Sequence, residues 1–425
     1  MSRVRSVLAL FLAAVVLAAC NTSTTPDVAA PDLTAPALPS QYIVVLKTDG
    51  LSAQSAQAFA LQVNSLATEF KVQVAAPLQL IDGFVVTNTD AATAARLAAD
   101  PRVAYMQPDR IVTLPPFRVQ GKPSGGGSQP TQTVPWGIKR IGAVGLGNKG
   151  ANVDVFVVDT GIDSDHPNLQ PIVDGYAPVA CKGRNCRQSW DDDNEHGTHV
   201  SGTIAARANT LGVVGVAPAA NLHAVKVLNA QGSGSYSGII QGIQWVTRYS
   251  AANPRVINMS LGGTGTDTGC NNGTDALHDA VCAAVKAGVT VVVAAGNEND
   301  NAANHTPAAY DEAITVSATG NEGDDGVGNY DFFAYFTNWG PDVDIAGPGY
   351  HVLSSVPGGG YATFSGTSMA TPHTAGAAAL YLSTHRSASP AAVRSALIAA
   401  TTSTSGFRND SSGAHPEGML NVSSF

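Results

Sequence analysis

The sequence has little charge and few aromatic side chains. Of its 425 residues, 13% are charged and 6% are aromatic, and 32 acidic residues against 23 basic ones give a net charge of −9 at pH 7. No block of basic residues is present, which argues against a nucleic-acid partner. Glycine is abundant instead, with 44 residues, and this favours a globular protein with short turns over a disordered chain or a coiled coil.

The apolar run at the N-terminus is too short for a membrane span. Two arginines precede Val7 to Leu17, and this layout is typical of a secretory signal, so residues 1–20 are predicted to be a signal peptide. The segment ends at Cys20 in a sequence that resembles the bacterial lipoprotein signal, in which the cysteine is acylated. Cleavage by an ordinary signal peptidase at the neighbouring alanines is the alternative. We favour lipidation of Cys20.

Cysteine is scarce, with five residues in the chain. Setting Cys20 aside leaves an even number, which in an oxidising compartment allows three pairings. We predict the disulfides Cys181–Cys186 and Cys270–Cys282 because each closes a short loop. A zinc site is disfavoured because the CxxC spacing is missing, and free buried thiols stay open as an alternative.

The N-terminal half is predicted to hold a small domain between two linkers. Residues 21–40 are rich in Thr, Pro and Ala and predict a flexible tether. Residues 41–113 show strands and helices in the order βαββαβ, which is that of ferredoxin-like α+β domains. Residues 114–133 are rich in proline and glycine and predict a linker that invites proteolysis.

From residue 134 to residue 425, strands alternate with helices. Apolar runs such as Asp154 to Val158 are typical of parallel strands covered on both faces. We therefore predict an α/β domain with a doubly wound, mostly parallel sheet and a site at the carboxyl ends of its strands. The main predicted strands are residues 153–160, 222–228, 256–261, 289–295 and 313–317, and the helices are 196–206, 237–249, 276–287, 369–383 and 390–400.

Three polar residues fall at the edges of these elements. Asp159 ends a predicted strand, His196 begins a helix, and Ser368 begins another. A serine attacks a carbonyl only if a base removes its proton, and the base needs a carboxylate to hold its tautomer. Pro372 is expected in the first turn of the serine's helix, with the serine side chain uncovered. For Ser368 alone, a helix cap is the alternative.

A fourth polar residue, Asn297, follows the strand that is predicted at residues 289–295. Its amide group would be able to bind the oxyanion of a tetrahedral intermediate beside the backbone N–H of Ser368. A turn asparagine is the alternative. We prefer the donor role because the other three polar residues accompany it.

The motifs around Asp159, His196 and Ser368, in that order, resemble those of the subtilisin-type serine proteases, and more closely the proteinase K and aqualysin branch. The resemblance covers residues 134–425. It implies that Asp159 orients the general base His196, that Ser368 is the nucleophile and that Asn297 is the oxyanion donor, as in subtilisin, the known case of this chain order. It also implies a secreted endopeptidase of broad specificity that works through an acyl-enzyme without a catalytic cofactor.

Residues 41–113 resemble the inhibitory propeptide of that family. The resemblance implies an intramolecular inhibitor and folding chaperone, which the enzyme itself releases by cutting within residues 114–133. A lipid on Cys20 would then tether the protein to a membrane only before maturation. We expect a monomer that acts on proteins and peptides.

Two edges resemble the substrate-binding edges of the family, at which an extended peptide adds as a strand. The pocket walls from Ser260 to Gly262 and from Ala294 to Gly296 have no acidic residue, so we expect an apolar or aromatic side chain before the scissile bond. The predicted substrate-binding residues are Gly232, Ser233, Gly234, Ser260, Leu261, Gly262, Ala294, Ala295 and Gly296.

Structural calcium is also implied by the resemblance. Asp344 matches a family position that binds the ion together with backbone carbonyls, here from the loop around Asp311 to Ala313. Asn168 stands where many subtilisins have an aspartate ligand, which puts a second site in doubt. The run Asp191 to Asp193 is predicted to be a solvated acidic loop and not a cation cage.

Two other functions stay open. A degenerate, protease-like module that only binds peptides would have no need of Asp159 or Asn297. A serine esterase would have no need of edges that add a peptide strand.

Overall fold

The computed structural model describes residues 37–47, 56–115, 117–120, 129–183, 186–249, 252–324, 331–410 and 414–425. The predicted signal peptide, Cys20 and most of the tether lie outside the described residues. Within the described ranges, no helix combines the length and the apolar character that a membrane crossing requires.

An antiparallel sheet with two helices forms the N-terminal part, in the predicted order βαββαβ. Its strands lie in the spatial order β2-β3-β1-β4. One face packs on the helices through Phe59, Val63, Leu66 and Leu97. The elements are β1 (Ala37–Leu46), α1 (Ala56–Phe70), β2 (Gln73–Leu78), β3 (Gly83–Thr87), α2 (Ala91–Ala98) and β4 (Val103–Thr113).

A sheet of nine strands forms the centre of the rest of the chain. Its order is β19-β16-β14-β12-β10-β6-β8-β7, and β15 attaches to β14 as the antiparallel member. The other neighbours are parallel, as predicted. The strands are β6 (Asp154–Asp159), β7 (Ile172–Tyr176), β8 (Asn221–Lys226), β10 (Arg255–Met259), β12 (Val289–Ala294), β14 (Ile314–Asn321), β15 (Asp331–Phe333), β16 (Ile345–Pro348) and β19 (Gly418–Met419).

Helices and short strands complete this part. The five predicted helices are present with ends within two residues of the prediction. The helices are α3 (Trp136–Arg140), α4 (His196–Ala205), α5 (Tyr236–Arg248), α6 (Ala276–Lys286), α7 (Thr367–Thr384) and α8 (Pro390–Ala399). The short strands are β5 (Arg118–Gln120), β9 (Ser233–Ser235), β11 (Gly263–Thr264), β13 (His305–Thr306), β17 (Val352–Val356) and β18 (Gly360–Ser365).

Strand β6 ends at Asp159, one of the predicted site residues. All six of its residues are buried, because helices cover both faces of the sheet. Val155 and Val157 face one hydrophobic cluster, while Phe156 and Val158 face the other. Such alternation between two cores requires an apolar side chain at each of these four positions, which lie between Asp154 and Asp159 at the two ends of the strand.

The two predicted disulfides are confirmed. Cys181 is bonded to Cys186 and Cys270 to Cys282, with Cα–Cα distances of 5.9 and 6.0 Å. The second disulfide joins the segment before α6 to Cys282 within that helix.

Phe156 is the aromatic anchor of the central strand, and its ring contacts His223, Trp245 and Tyr249. We expect Phe156→Ala to lower the free energy of unfolding by about 3–5 kcal/mol, because a buried ring leaves a cavity. Urea denaturation in a Ser368→Ala background measures this. Val173→Ala is the control, since Val173 is 51% exposed and its loss should change stability by less than about 0.5 kcal/mol. Equal losses in both variants would contradict the assignment.

Candidate active site

Asp159 and His196 meet at the carboxyl end of β6. The Nδ1 atom of His196 lies 2.8 and 3.0 Å from the two carboxylate oxygens of Asp159, and both side chains are fully buried. The backbone N–H of Thr160 also donates to Asp159, at 2.7 Å. Because an ionised carboxylate only accepts hydrogen bonds, Nδ1 carries the proton and Nε2 keeps its lone pair for another group.

Gly197 allows helix α4 to come close to the end of β6. A Cβ at this position would stand 2.2 Å from the carbonyl oxygen of Gly161. The backbone N–H of Gly197 also donates to the hydroxyl of Thr160, at 2.9 Å. The missing side chain thus brings His196 within hydrogen-bond reach of Asp159.

The carboxylate of Asp192 holds the first turn of α4. It accepts from the backbone N–H and the hydroxyl of Thr198 at 2.9 and 2.6 Å, and from the hydroxyl of Thr160 at 2.8 Å. The backbone N–H of Glu195 donates to it as well, at 3.1 Å. Asp192 therefore satisfies donors at the helix start and joins that start to the end of β6.

The prediction of a solvated acidic loop at residues 191–193 is wrong. Asp191 and Asp192 are only 4% and 8% exposed, and Asp193 accepts from the buried ammonium group of Lys226 at 2.6 Å. The nitrogen of Lys226 also donates to the carbonyl oxygens of Thr160 and Leu228. Burial is tolerated because these carboxylates find donors inside the fold.

Ser368 is the second residue of α7 and is fully buried, contrary to the expected uncovered side chain. Its hydroxyl donates to the carbonyl oxygen of Ser260 at 3.2 Å. Within the described part of the chain, Nε2 of His196 has no hydrogen-bond partner. The side chain of Phe117 packs on the His196 ring, with ring centres 5.1 Å apart. The linker thus helps to cover the centre of the site.

Pro372 is the sixth residue of α7, so its predicted place in the first turn is wrong. A residue with an N–H at this position would donate to the carbonyl oxygen of Ser368. The hydroxyl of Ser260 donates to that oxygen instead, at 2.9 Å. Ser260 and Ser368 are therefore joined by two reciprocal hydrogen bonds, which fix the start of the helix.

Asn297 and the backbone of Ser368 border one small space. The side-chain oxygen of Asn297 accepts from the N–H and the hydroxyl of Thr367, both at 2.8 Å. A Cβ at Gly366 would lie 3.3 Å from the amide nitrogen of Asn297 and 3.7 Å from the backbone nitrogen of Ser368. Gly366 thus leaves room between two donors, which is the arrangement that an oxyanion requires.

The first predicted substrate edge already pairs with a strand. β4 is antiparallel to β9, with Ile111 opposite Ser235 and Thr113 opposite Ser233. The backbone N–H of Leu114 then donates to the carbonyl oxygen of Gly232 at 2.8 Å. Gly232, Ser233 and Gly234 thus form an edge that accepts an extended segment, and here the segment belongs to the same chain.

The second edge lines a cavity of about 360 Å³, whose mouth holds Leu114 and Pro115. Ser260 does not line it and bonds Ser368 instead. Glu298, which was not predicted, also lines the cavity, and its carboxylate accepts from the amide of Asn338 at 2.9 Å. The cavity therefore contains a carboxylate, although the two predicted wall segments, Ser260 to Gly262 and Ala294 to Gly296, have no acidic residue. Predicted residues that line it are Leu261, Gly262, Ala294, Ala295 and Gly296.

Two other buried histidines stabilise the fold around the site. Burial lowers the pKa of His199 to about 3 and that of His373 to about 4, so both rings are neutral. His199 bonds the carbonyl oxygens of Val352 and Ala362, and His373 bonds that of Met369. Neither is arranged as the base for Ser368.

The oxygens that were predicted to bind calcium already have a cation. The guanidinium of Arg394 donates to Asp344 at 2.6 and 2.9 Å, and to the carbonyl oxygen of Asp311 at 2.7 Å. The second oxygen of Asp344 accepts from Thr315 N–H. A calcium ion at this place would have to share Asp344 with the guanidinium. At Asn168, the side-chain oxygen accepts from the N–H of Val213, so it is used within the fold.

Among the described residues, two groups have possible ligand atoms within 4.8 Å of one another: Cys270, His278, Cys282 and Glu312, and Cys181, Cys186 and Asp193. In each group the two sulfurs are bonded to each other, so they do not offer the thiolates that zinc requires.

We predict that Ser260→Ala lowers the free energy of unfolding by about 1–3 kcal/mol, because the carbonyl of Ser368 is left unsatisfied. In a Pro372→Ala background, the restored N–H should supply the missing donor, so the same change should cost clearly less. Urea denaturation of the four forms gives the coupling energy. Additive losses would show that the hydroxyl of Ser260 does not replace the donor that Pro372 lacks.

Comparisons with known proteins agree with this geometry. The model of the subtilase family matches residues 150–416. Subtilisin E of Bacillus subtilis (strain 168) is 43% identical over 307 residues, which cover 71% of each chain. The extracellular serine proteinase of Thermus sp. (strain Rt41A) is 38% identical over 424 residues, which cover 92% of each.

A solved structure is also similar. The crystal structure of a cold adapted subtilisin-like serine proteinase matches with a TM-score of 0.56 and 34% identity, and the match covers 68% of this chain and 97% of that one. The fold is that of the subtilisins, and the chain belongs to the subtilase family of serine proteases.

Proposed function

We propose that this chain is a secreted serine endopeptidase in which Ser368 attacks the peptide carbonyl, His196 is the general base and acid, and Asp159 orients the imidazole. The observation that carries the proposal is the buried contact of Asp159 with Nδ1 of His196, because it leaves Nε2 as the acceptor. Secretion is supported by the name of the Thermus relative, an extracellular proteinase.

The chemistry follows from the positions of these atoms. As the Ser368 oxygen bonds the carbonyl carbon, its proton passes to Nε2 of His196, and the carbonyl oxygen becomes an oxyanion between Asn297 and the Ser368 N–H. When the C–N bond breaks, His196 returns the proton to the leaving amine. Water then repeats the sequence on the acyl-enzyme and releases the acid, which restores Ser368.

The hydroxyl of Ser368 has to turn for this reaction. It donates to Ser260, whereas attack requires it to donate to Nε2 of His196. Phe117 of the linker lies against the His196 ring, so we expect the linker to hinder this change of partner until it is released.

A serine esterase and a module that only binds peptides are the rival functions. The pairing of β4 with β9 favours peptide over a small ester, because a main-chain edge recognises an extended backbone. The buried Asp159–His196 pair favours catalysis over binding alone, because a binding site gains nothing from an oriented base.

We predict that Ser368→Ala abolishes labelling by a fluorophosphonate probe and accumulates as the uncut precursor. The loss in kcat should be about 10⁶, the size known for subtilisin itself. Mass spectrometry of both proteins, made in a host that lacks other proteases, measures cutting and labelling together. An unlabelled but normally processed wild type would contradict the protease assignment, and a normally trimmed Ser368→Ala would contradict self-processing.

We also propose that residues 41–113 are the inhibitory propeptide and that it docks by capping two helices. Asp109 is fully buried and accepts from the backbone N–H of Ser237, near the start of α5, at 3.0 Å. Gln107 accepts from the N–H of Ala276 at the start of α6, also at 3.0 Å. Both partners satisfy donors that a helix start leaves unpaired.

In the Ser368→Ala precursor, Asp109→Ala should speed trypsin cleavage after Arg118 by roughly tenfold, because a charged hydrogen bond that holds the docked strand is lost. Asp90→Ala is the matched control. Asp90 caps α2 of the same domain and accepts from Thr93 N–H at 2.8 Å, without contact to α5. Mass spectrometry gives both cleavage rates. If the two variants are cut equally fast, docking does not depend on Asp109.

Several finer assignments stay predictions. They include the proteinase K and aqualysin branch, the monomeric state and an apolar or aromatic side chain before the scissile bond. Calcium at Asp344, lipid on Cys20 and the cut within residues 114–133 are predictions as well.

A further inference from the structure

The segment from Ile111 to Val119 follows the cleft on both sides of its catalytic centre. Before the centre, β4 pairs with β9 and Leu114 bonds Gly232. After it, β5 pairs antiparallel with β18. Residue 116 lies outside the described residues. The chain thus behaves like a bound substrate that extends past the bond to be cleaved.

Phe117 lies where the segment passes the catalytic centre. Its ring centre lies 5.1 Å from that of His196 and 5.0 Å from that of Phe364. Its Cβ lies 3.7 Å from the position that a Cβ would take at Gly366, next to the two oxyanion donors. Phe117 therefore lies at the catalytic centre, where the chain passes to the primed side, by which we mean the side that binds the residues after the cleaved bond.

Arg118 follows Phe117 and lies opposite Ser365 in the ladder with β18. Its guanidinium carbon is 5.2 Å from the ring centre of Tyr335. Tyr335 is 49% exposed, which is unusual for so large an apolar side chain. An aromatic face at this distance attracts a cation, and the planar guanidinium stacks on it better than an ammonium group does.

The residues around Tyr335 also favour the binding of a cation. Tyr335 lines a cavity of about 500 Å³ together with Phe407, Asn409 and Asp410. The Oδ1 atom of Asp410 is buried and has no hydrogen-bond partner among the described residues. An unsatisfied carboxylate oxygen beside an exposed aromatic ring is suited to a guanidinium that brings N–H donors.

We propose that Phe117 stands at the first position after the cleaved bond, and that Tyr335 and Asp410 form a subsite that selects an arginine at the second position. The proposal rests on the proposed role of Ser368 as nucleophile. The backbone of β18 fixes the position of that residue, the ring of Tyr335 holds the flat face of its side chain, and Asp410 supplies the charge. In the precursor, the guanidinium of Arg118 already lies over the ring of Tyr335.

The test uses the mature enzyme that the full chain releases, and internally quenched peptides that differ at one position. Arginine or alanine is placed at the first, second or third position after the bond, and mass spectrometry identifies the bond cut. The ratio of kcat/KM for arginine over alanine should be largest at the second position, at roughly three- to tenfold. A ratio near one there, or a larger ratio at another position, would overturn the inference.

Variants separate the two contributors. Tyr335→Leu and Asp410→Asn should each lower the ratio of kcat/KM for arginine over alanine. Tyr335→Phe should keep this ratio, because the aromatic face remains. Each ratio is internal to one variant, so a general loss of activity cancels. An undiminished ratio in both Tyr335→Leu and Asp410→Asn would overturn the assignment of these residues. If wild type cuts no peptide at all, the proposed function fails and the inference with it.

Discussion

The buried contact between Asp159 and His196 is the constraint on which the site depends. A carboxylate without access to water is costly unless donors surround it, and here His196 and the N–H of Thr160 supply them. This arrangement requires that β6 end and α4 begin at the same place, which the close approach at Gly197 allows. A second layer, in which Asp192 bonds both Thr160 and Thr198, ties the two ends together.

Ser368 is held by a different principle, the replacement of a missing backbone donor. Pro372 cannot donate to the carbonyl of Ser368, and the hydroxyl of Ser260 does so from the end of another strand. The helix start is thereby bonded to the sheet, where Ser368 in turn donates to Ser260. Because Pro372 has no N–H, a hydrogen bond that would lie within α7 is replaced by one between α7 and Ser260, the residue that follows β10. This bond fixes the position of Ser368, where accuracy matters most.

Sequence reasoning succeeds where a signal is local. The parallel strands carry continuous apolar runs, and Asp159, His196 and Ser368 stand at element ends that the patterns mark. It fails where the partner is remote. The burial of Ser368, the role of Pro372 and the second edge around Glu298 depend on contacts across 40 or more residues, such as that from Asn338 to Glu298. The acidic run at 191–193 looks solvated because its donors, Thr198 and Lys226 among them, come from other elements.

Strand β4, which occupies the cleft, belongs to the same chain as the cleft. Its binding is therefore unimolecular, and an attached ligand acts as if it were present at roughly millimolar concentration, whatever the dilution of the protein. A segment of modest intrinsic affinity is then sufficient to keep the cleft occupied. A single break in the chain removes this advantage at once, and the same segment becomes a free competitor that dilution can disperse. Occupancy of the cleft would then depend on the protein concentration, whereas before the break it does not.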